Sequence, residues 1–107
     1  MKIDLKTINF KVTPSVQDYL EEKIGHLDKF IGEDLIENVV AYVELEITTK
    51  HHHKGEIFYV KIDIQLPGKM IQAEYTSDDI FSSIDKVKDI LSLELKKYKE
   101  KRLEKIS

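Results

Sequence analysis

Apolar and polar residues alternate in four segments of the chain, and a period of two residues predicts half-buried β-strands. The first segment runs from Lys2 to Val12, with a bulge near Lys6–Thr7 where the apolar phase reverses. The predicted inward residues of the other three are Val39, Ala41, Val43, Leu45 and Ile47, then Phe58, Val60, Ile62, Ile64 and Leu66, then Ile71, Ala73 and Tyr75. The dipeptide Pro67-Gly68 predicts the turn between the last two strands.

Two further segments place apolar residues at helical spacing. Thr13 as N-cap and Pro14 at the first helical position predict the start of the first helix, and Gly32 predicts its end. Thr76 and Asp79 approximate a capping box for a second helix, which we predict from about Ile80 to Arg102. The predicted buried stripes are Val16, Leu20, Ile24, Leu27 and Ile31 on the first helix, and Ile80, Ile84, Val87, Leu91, Leu95 and Tyr98 on the second.

The resulting element order is β-α-β-β-β-α, which predicts a single α+β domain over residues 1–107. Both helices must cover one face of a four-stranded sheet, in a two-layer sandwich, because only one face of each strand is apolar. A right-handed crossover makes the first two strands parallel and leaves the other neighbours antiparallel. We expect the helices to lie side by side, with their outward faces forming one ridge.

Charge is unevenly distributed along the chain. From residue 86 onward there are eight Lys or Arg against four Asp or Glu, whereas residues 1–85 hold nine bases and sixteen acids. A lysine-rich helix on an acidic body indicates a directed contact with RNA phosphate, and a solvated helix face whose basic end suits the macrodipole explains the same pattern. No apolar run approaches the ~18 residues of a membrane span and no signal peptide is recognisable, so we expect a cytoplasmic protein with no membrane partner.

Several motifs are similar to one known family. They are Val12-Thr13-Pro14-Ser15-Val16, Leu20-x-x-Lys23-Ile24-x-x-Leu27-x-Lys29-Phe30, Leu66-Pro67-Gly68-Lys69, Asp78-Asp79-Ile80-Phe81-Ser82-Ser83-Ile84-Asp85 and Lys96-Lys97-Tyr98-Lys99. Together they resemble the ribosome hibernation-promoting factor and ribosome-associated inhibitor A family, over nearly the whole chain and in the right element order. The resemblance implies a fold similar to double-stranded-RNA-binding domains. It also implies a short-type member, or the N-terminal domain of a long one.

The resemblance further implies a translation inhibitor that occupies the decoding channel of the small ribosomal subunit and excludes messenger and transfer RNA under stress or in stationary phase. Its partners would be ribosomal RNA and neighbouring ribosomal proteins. Basic residues on the outward ridge would contact the RNA, and the matching positions here are Lys23, His26, Lys29, Lys86, Lys97 and Lys101. The chain departs from the family at Ile90 and Leu93, where basic residues are common.

That departure supports an alternative function. An exposed Ile90 and Leu93 pair could mark a protein contact, with the chain serving as an interaction module or a weak homodimer, and ordinary surface apolar residues explain the same pair. Binding of double-stranded RNA outside the ribosome is a third interpretation. The acidic helix start Asp78-Asp79 disfavours it, because carboxylates there repel phosphate.

Candidate catalytic and metal-binding groups have simpler structural explanations. Adjacent residues of an extended loop point in alternating directions, so His51-His52-His53 cannot all ligate one ion, and we predict no metal site. The acids at the start of the second helix suit the helix dipole. The chain has no Cys, no Gly-rich phosphate loop and no Ser/His/Asp motif, and we therefore predict no enzymatic activity and no cofactor.

Overall fold

The computed structural model describes the backbone of residues 1–48 and 55–106 and the side chains of residues 1–48 and 55–103, which form a four-stranded sheet with helices on one face. The strands are β1 (Lys2–Ile8), β2 (Val40–Thr48), β3 (Ile57–Leu66) and β4 (Lys69–Ser77), and the helices are α1 (Pro14–Gly25), α2 (Asp28–Ile31), α3 (Glu33–Ile36) and α4 (Ile80–Ile106). The sheet order is β1-β2-β3-β4, with β1 parallel to β2 and the other neighbours antiparallel. The predicted α+β architecture and strand directions are confirmed.

The core lies between the sheet and the helices, and both predicted helical stripes face it. All eleven residues of the two stripes are buried except Tyr98, which is half-buried and donates its hydroxyl to the carbonyl of Pro67 at 3.2 Å. Ser83 is fully buried beside them. Its hydroxyl donates to the carbonyl of Phe58 at 3.1 Å, so the burial of this polar group is compensated and α4 is tied to β3.

The first strand differs from its prediction. β1 pairs residue by residue with β2, from Lys2 opposite Val40 to Ile8 opposite Glu46, and the bulge predicted near Lys6–Thr7 is therefore wrong. The strand ends at Ile8, and Asn9 adopts a left-handed φ of 55°. This turn reverses the apolar phase and brings the residues that follow, Phe10 and Val12, against the core.

The single helix predicted up to Gly32 is divided. Thr13 caps α1 as predicted, its Oγ accepting from the N–H of Val16 at 3.3 Å, but α1 ends at Gly25, a poor helix former. The N–H of Leu27 then donates to the carbonyl of Ile24 at 2.9 Å, a tighter i to i−3 turn. Gly32, at φ 100°, separates α2 from α3 in a conformation that only glycine adopts readily.

The start of α4 also corrects the prediction in detail. Its N-cap is Asp79 alone, whose carboxylate accepts from the N–H groups of Phe81 and Ser82, each at 3.3 Å. Thr76 lies in β4 and forms no capping box with it. Tyr75 was predicted to point into the core but is 39% exposed, whereas Ile71 and Ala73 of the same edge strand are buried as predicted.

Candidate nucleic-acid interface

The contacts of α4 distinguish two sides of this helix. Asp85 accepts a hydrogen bond from Tyr19 of α1 at 2.5 Å, and Lys99 donates to the carbonyl of Lys29 in α2 at 3.0 Å. Asp85 and Lys99 lie within about 40° of each other around the helix axis, at ~100° per residue. We call this side, which faces α1 and α2, the seam flank.

Three of the predicted RNA-binding residues lie on the opposite side of the same helix. Lys86, Lys97 and Lys101 are about 140–200° around the axis from Lys99, and all three are exposed. We call this side the outer flank.

The two flanks correct the expectation of one continuous ridge. Lys23 and Lys29 lie at the seam, whereas Lys97 lies on the outer flank. The predicted residues therefore all lie on the helical layer of the protein but do not form one continuous row. The reason is rotational. A helix that packs against a neighbour must turn one flank towards it, and here that flank is the one opposite the outer-flank lysines.

Between the flanks, the crest of α4 is not basic. Directly opposite the buried stripe, at about 180°, lie Asp89, Leu93 and Glu100, all exposed. The lysines therefore border the crest on both sides, and the crest itself carries two acids and one apolar side chain.

Lys23 is held in a cluster at the seam. Its Nζ lies 3.7 Å from a carboxylate oxygen of Asp85 and 5.2 Å from the ring centroid of Tyr19. The Tyr19 ring in turn packs edge-on against Phe81, with centroids 5.0 Å apart. The hydrogen bond to Asp85, then burial, then the Asp85 charge raise the pKa of Tyr19 to about 12. Lys23 thus already has a counter-ion within the protein.

The remaining seam candidates are more open. Lys29 is exposed, with its Nζ 5.1 Å from the ring centroid of Phe30. His26 follows the last residue of α1, and its side chain is exposed while its N–H donates to the carbonyl of Glu22 at 3.1 Å. Both residues lie where the chain turns from α1 into α2.

The outer flank presents its charge to solvent. Lys97 lies 3.6 Å from Glu94, one helical turn away, in an exposed pair of a kind that contributes about 0–1 kcal/mol. Within the part of the chain that the structure describes, Lys86 and Lys101 form no ion pair. Positive charge is therefore more available on the outer flank than at the seam.

The apolar pair that departs from the family is not equally exposed. Ile90 is half-buried and packs against the core, whereas Leu93 is 63% exposed. Ile90 is explained by core packing. Only Leu93 remains as a candidate for a protein contact.

A second clamp holds the end of α4. Arg102 donates from Nη2 to the carboxylate of Asp34 at 2.6 Å. This bond lowers the pKa of Asp34 and raises the pKa of Arg102, so both stay charged. Neither this pair nor the Tyr19–Asp85 pair is evident from the sequence, since their partners lie 68 and 66 residues apart and share no periodic pattern.

Other predicted features give little that could act as a site. His51-His52-His53 lies outside the described residues. Among the side chains of residues 1–48 and 55–103 there is no cluster of three or more His, Cys, Asp or Glu that could hold a metal ion. None of the described helices combines the length and the apolar character needed to cross a membrane.

The molecule is therefore a small α+β protein. Its helices α1 and α4 lie side by side on one face of a β1-β2-β3-β4 sheet, and lysines follow both flanks of α4. The chain belongs to the family described as Sigma 54 modulation protein / S30EA ribosomal protein, which it matches over residues 3–103. The resemblance stated from the sequence is thereby confirmed.

Two curated relatives carry the same name, ribosome hibernation promotion factor. The protein from Lactococcus lactis subsp. cremoris is 36% identical over 101 residues, which are 92% of this chain and 50% of the relative. The protein from Staphylococcus aureus is 26% identical over 99 residues, again 92% of this chain and 48% of the relative. The chain thus spans about half the length of the curated relatives it matches.

Two solved structures have the same fold. The N-terminal domain of Thermus thermophilus Protein Y superposes with a TM-score of 0.75 at 28% identity, covering 92% of this chain and 99% of that one. A ribosomal subunit interface protein from Coxiella burnetii gives a TM-score of 0.73 at 22% identity, covering 94% and 99%. The second likeness concerns the fold alone.

Proposed function

We propose that this chain is the ribosome-binding part of a ribosome hibernation factor. In this proposal it associates with the small ribosomal subunit, lies in the decoding channel, and excludes messenger and transfer RNA under stress or in stationary phase. The observation that carries the proposal is the family match over residues 3–103, together with relatives named ribosome hibernation promotion factor. The proposed act is occlusion, which needs bulk and affinity rather than catalysis.

The outer flank of α4 is the proposed centre of the RNA contact. Lys86 and Lys101 are separated by fifteen residues, or about 22 Å along the helix axis, so the flank can reach several phosphates. Each phosphate neutralised contributes roughly 0.7–0.9 to the salt slope of log K. Lys29 and His26 would add to the contact from the seam, while Lys23 would contribute less because Asp85 already neutralises it.

The decisive measurement is co-sedimentation with purified small subunits over a salt series. We expect association at low salt that weakens steeply and linearly in log K against log salt, because counterions are released from the RNA. Labelled messenger RNA bound to the same subunits should be displaced as the protein is added. Absence of association at low salt would overturn the proposal. An association constant that does not change with salt concentration would overturn its electrostatic mechanism.

Charge reversal on the outer flank tests the contact surface. Lys97→Glu combined with Lys101→Glu should abolish association at moderate salt, because two attractive contacts become repulsive. The matched control is Lys2→Glu with Lys11→Glu, which makes the same change in net charge at two exposed residues away from α4. The surface is assigned wrongly if the control weakens association as much as the α4 pair does.

Leu93 favours a second candidate, a protein-interaction module. Its side chain is 63% exposed on the crest of α4, where it is accessible to a partner, although single exposed apolar residues are also common on protein surfaces. Leu93→Lys distinguishes the two functions. It should preserve or strengthen subunit association if RNA lies over the crest, and should weaken self-association, measured by analytical ultracentrifugation, if a second copy does.

A further inference from the structure

A groove lies between the β3–β4 turn and the last turns of α4. It has a volume of about 420 Å³ and is lined by Pro67, Gly68, Lys69, Tyr98, Lys101 and Arg102. The hydroxyl of Tyr98 donates to the carbonyl of Pro67 at 3.2 Å, which fixes the turn to the helix. Gly68 has a φ of 74°, and a Cβ built on it would meet nothing within 4 Å, so the space beside the turn is open.

Every charged residue that lines the groove is basic. Lys69 and Lys101 are exposed and approach from opposite walls, one from β4 and the other from α4. Among the described residues neither lysine has an ion-pair partner. The two lysines therefore bring positive charge to the groove that no described carboxylate balances, whereas the charge of Arg102 is paired with Asp34.

Arg102 is positioned at this groove by α3. Its Nη2 donates to Asp34 at 2.6 Å, and one carboxylate contact leaves other N–H groups of the five-donor guanidinium for a further acceptor. The backbone supports this placement, since a Cβ at Gly32 would lie 3.0 Å from the carboxylate of Asp34 and 4.0 Å from Nη1 of Arg102. A guanidinium held by Asp34, together with two exposed ammonium groups in the same lining, suits an anion that accepts several hydrogen bonds.

We propose that this groove binds a phosphate group through Lys69, Lys101 and Arg102. Phosphate is the anion that fits best, because it accepts bidentate bonds from guanidinium and further bonds from lysine. The volume falls within the ~300–1,000 Å³ of small-ligand sites, so the groove can admit the sugar attached to the phosphate as well. The phosphate could belong to an RNA backbone or to a free nucleotide, and the chemistry of recognition is the same.

The RNA version of this inference rests on the proposed function and extends its contact surface. Lys101 is shared with the outer flank, whereas Lys69 and Arg102 lie outside the set found from the sequence. Asp85 and Lys101 are sixteen residues apart, or about 24 Å along α4. A phosphate in the groove would therefore be held about 24 Å along α4 from Asp85 and Lys23, and the two contacts together would fix the direction of α4 on the RNA.

The test uses the double variant Lys69→Gln with Lys101→Gln, which removes both ammonium groups and leaves the Arg102–Asp34 pair intact. The matched control is Lys2→Gln with Lys11→Gln, the same charge change at exposed positions elsewhere. Two measurements are made on each protein. One is small-subunit association over a salt series, and the other is the NMR shift of the Gly68 amide and the Arg102 side chain during titration with inorganic phosphate, a nucleoside monophosphate and a short single-stranded RNA.

For an RNA phosphate, we expect the double variant to bind subunits about tenfold more weakly near 0.1 M salt, with a salt slope smaller by about 1.5, while the control is unchanged. RNA would then shift the groove signals more than free phosphate does. For a free nucleotide, the monophosphate should shift the same signals to saturation in wild type and not in the double variant, and the salt slope of subunit association should fall only by the roughly 0.7–0.9 that Lys101 contributes from the outer flank.

The inference is overturned if no phosphate compound shifts the groove signals and the salt slope of the double variant falls by no more than the roughly 0.7–0.9 expected from Lys101 on the outer flank. That result, obtained with a wild-type protein that associates with subunits, leaves the proposed function standing. Conversely, a wild type that fails to associate while nucleotide still shifts Gly68 and Arg102 would remove the proposed function and keep the groove.

Discussion

The seam flank and the outer flank of α4 both carry lysines, but their surroundings differ. At the seam, two cations are engaged by the protein: Lys23 lies 3.7 Å from Asp85, and Lys99 is bonded to the carbonyl of Lys29 at 3.0 Å. On the outer flank, Lys86 and Lys101 face solvent without an ion-pair partner among the described residues. The same residue type thus joins helices on one flank and remains available on the other.

This difference shows why a count of cations does not locate an RNA contact. A lysine that is paired with a carboxylate must lose that pairing to bind phosphate, so its net contribution to binding is reduced. An unpaired lysine gives up only water and counterions, and the release of counterions from the RNA is favourable. The proposal therefore rests on the outer flank and on the groove beyond it, and the seam acts chiefly as a structural joint.

The largest expected effect comes from removing the anchor that orients both flanks. Leu91 is fully buried in the middle of α4, and Leu91→Ala should lower the free energy of unfolding by about 2–5 kcal/mol through lost burial and the cavity it leaves. Leu93→Ala is the matched control, since Leu93 is 63% exposed and its truncation should change stability by no more than about 0.5 kcal/mol. Urea denaturation of the two variants measures both values, and similar losses would mean that α4 is rotated from the position described.

Periodicity was sufficient for the fold but insufficient for the flanks. A 3.6-residue repeat identifies Leu91 as buried and Leu93 as exposed from local sequence alone, because burial depends only on the direction of the sheet. Which flank of α4 meets α1 depends on tertiary packing. No feature of the local sequence around Asp85 or Tyr19 indicates that these two residues are in contact. Asn9 is a second feature that local periodicity did not reveal. We predicted that a bulge reverses the apolar phase, whereas a single residue with a left-handed φ reverses it.

An intermediate effect is expected when the seam carboxylate loses its charge. Asp85→Asn keeps the shape of the side chain but no longer neutralises Lys23, so Lys23 becomes available to phosphate. If RNA reaches the seam, small-subunit association should strengthen and its salt slope should steepen by about 0.7–0.9, one phosphate contact. Because Asp85 is about half exposed, the loss of stability should be about 1 kcal/mol or less, which thermal unfolding would detect.

Asp4→Asn is the control for that experiment, because it removes one negative charge at an exposed position of β1, far from the helices. If both variants strengthen subunit association equally, the effect comes from the change in net charge and the seam has no specific role. Weaker association of Asp85→Asn would show instead that the carboxylate itself is needed at the interface, and the comparison between the flanks would have to be redrawn.

The smallest expected effect is a pH dependence at the seam. The hydrogen bond to Asp85 requires the protonated phenol of Tyr19, and with burial it raises the pKa of Tyr19 to about 12 from an ordinary value of about 10. Since the folded state holds this proton more tightly, its contribution to stability is complete below pH ~10 and is lost as the pH rises to ~12. Denaturation of wild type and Tyr19→Phe at intervals between pH 9 and 12 should show their difference in stability shrinking over that range. A difference that stays constant would mean that Tyr19 stabilises the seam through its ring against Phe81 rather than through its hydroxyl.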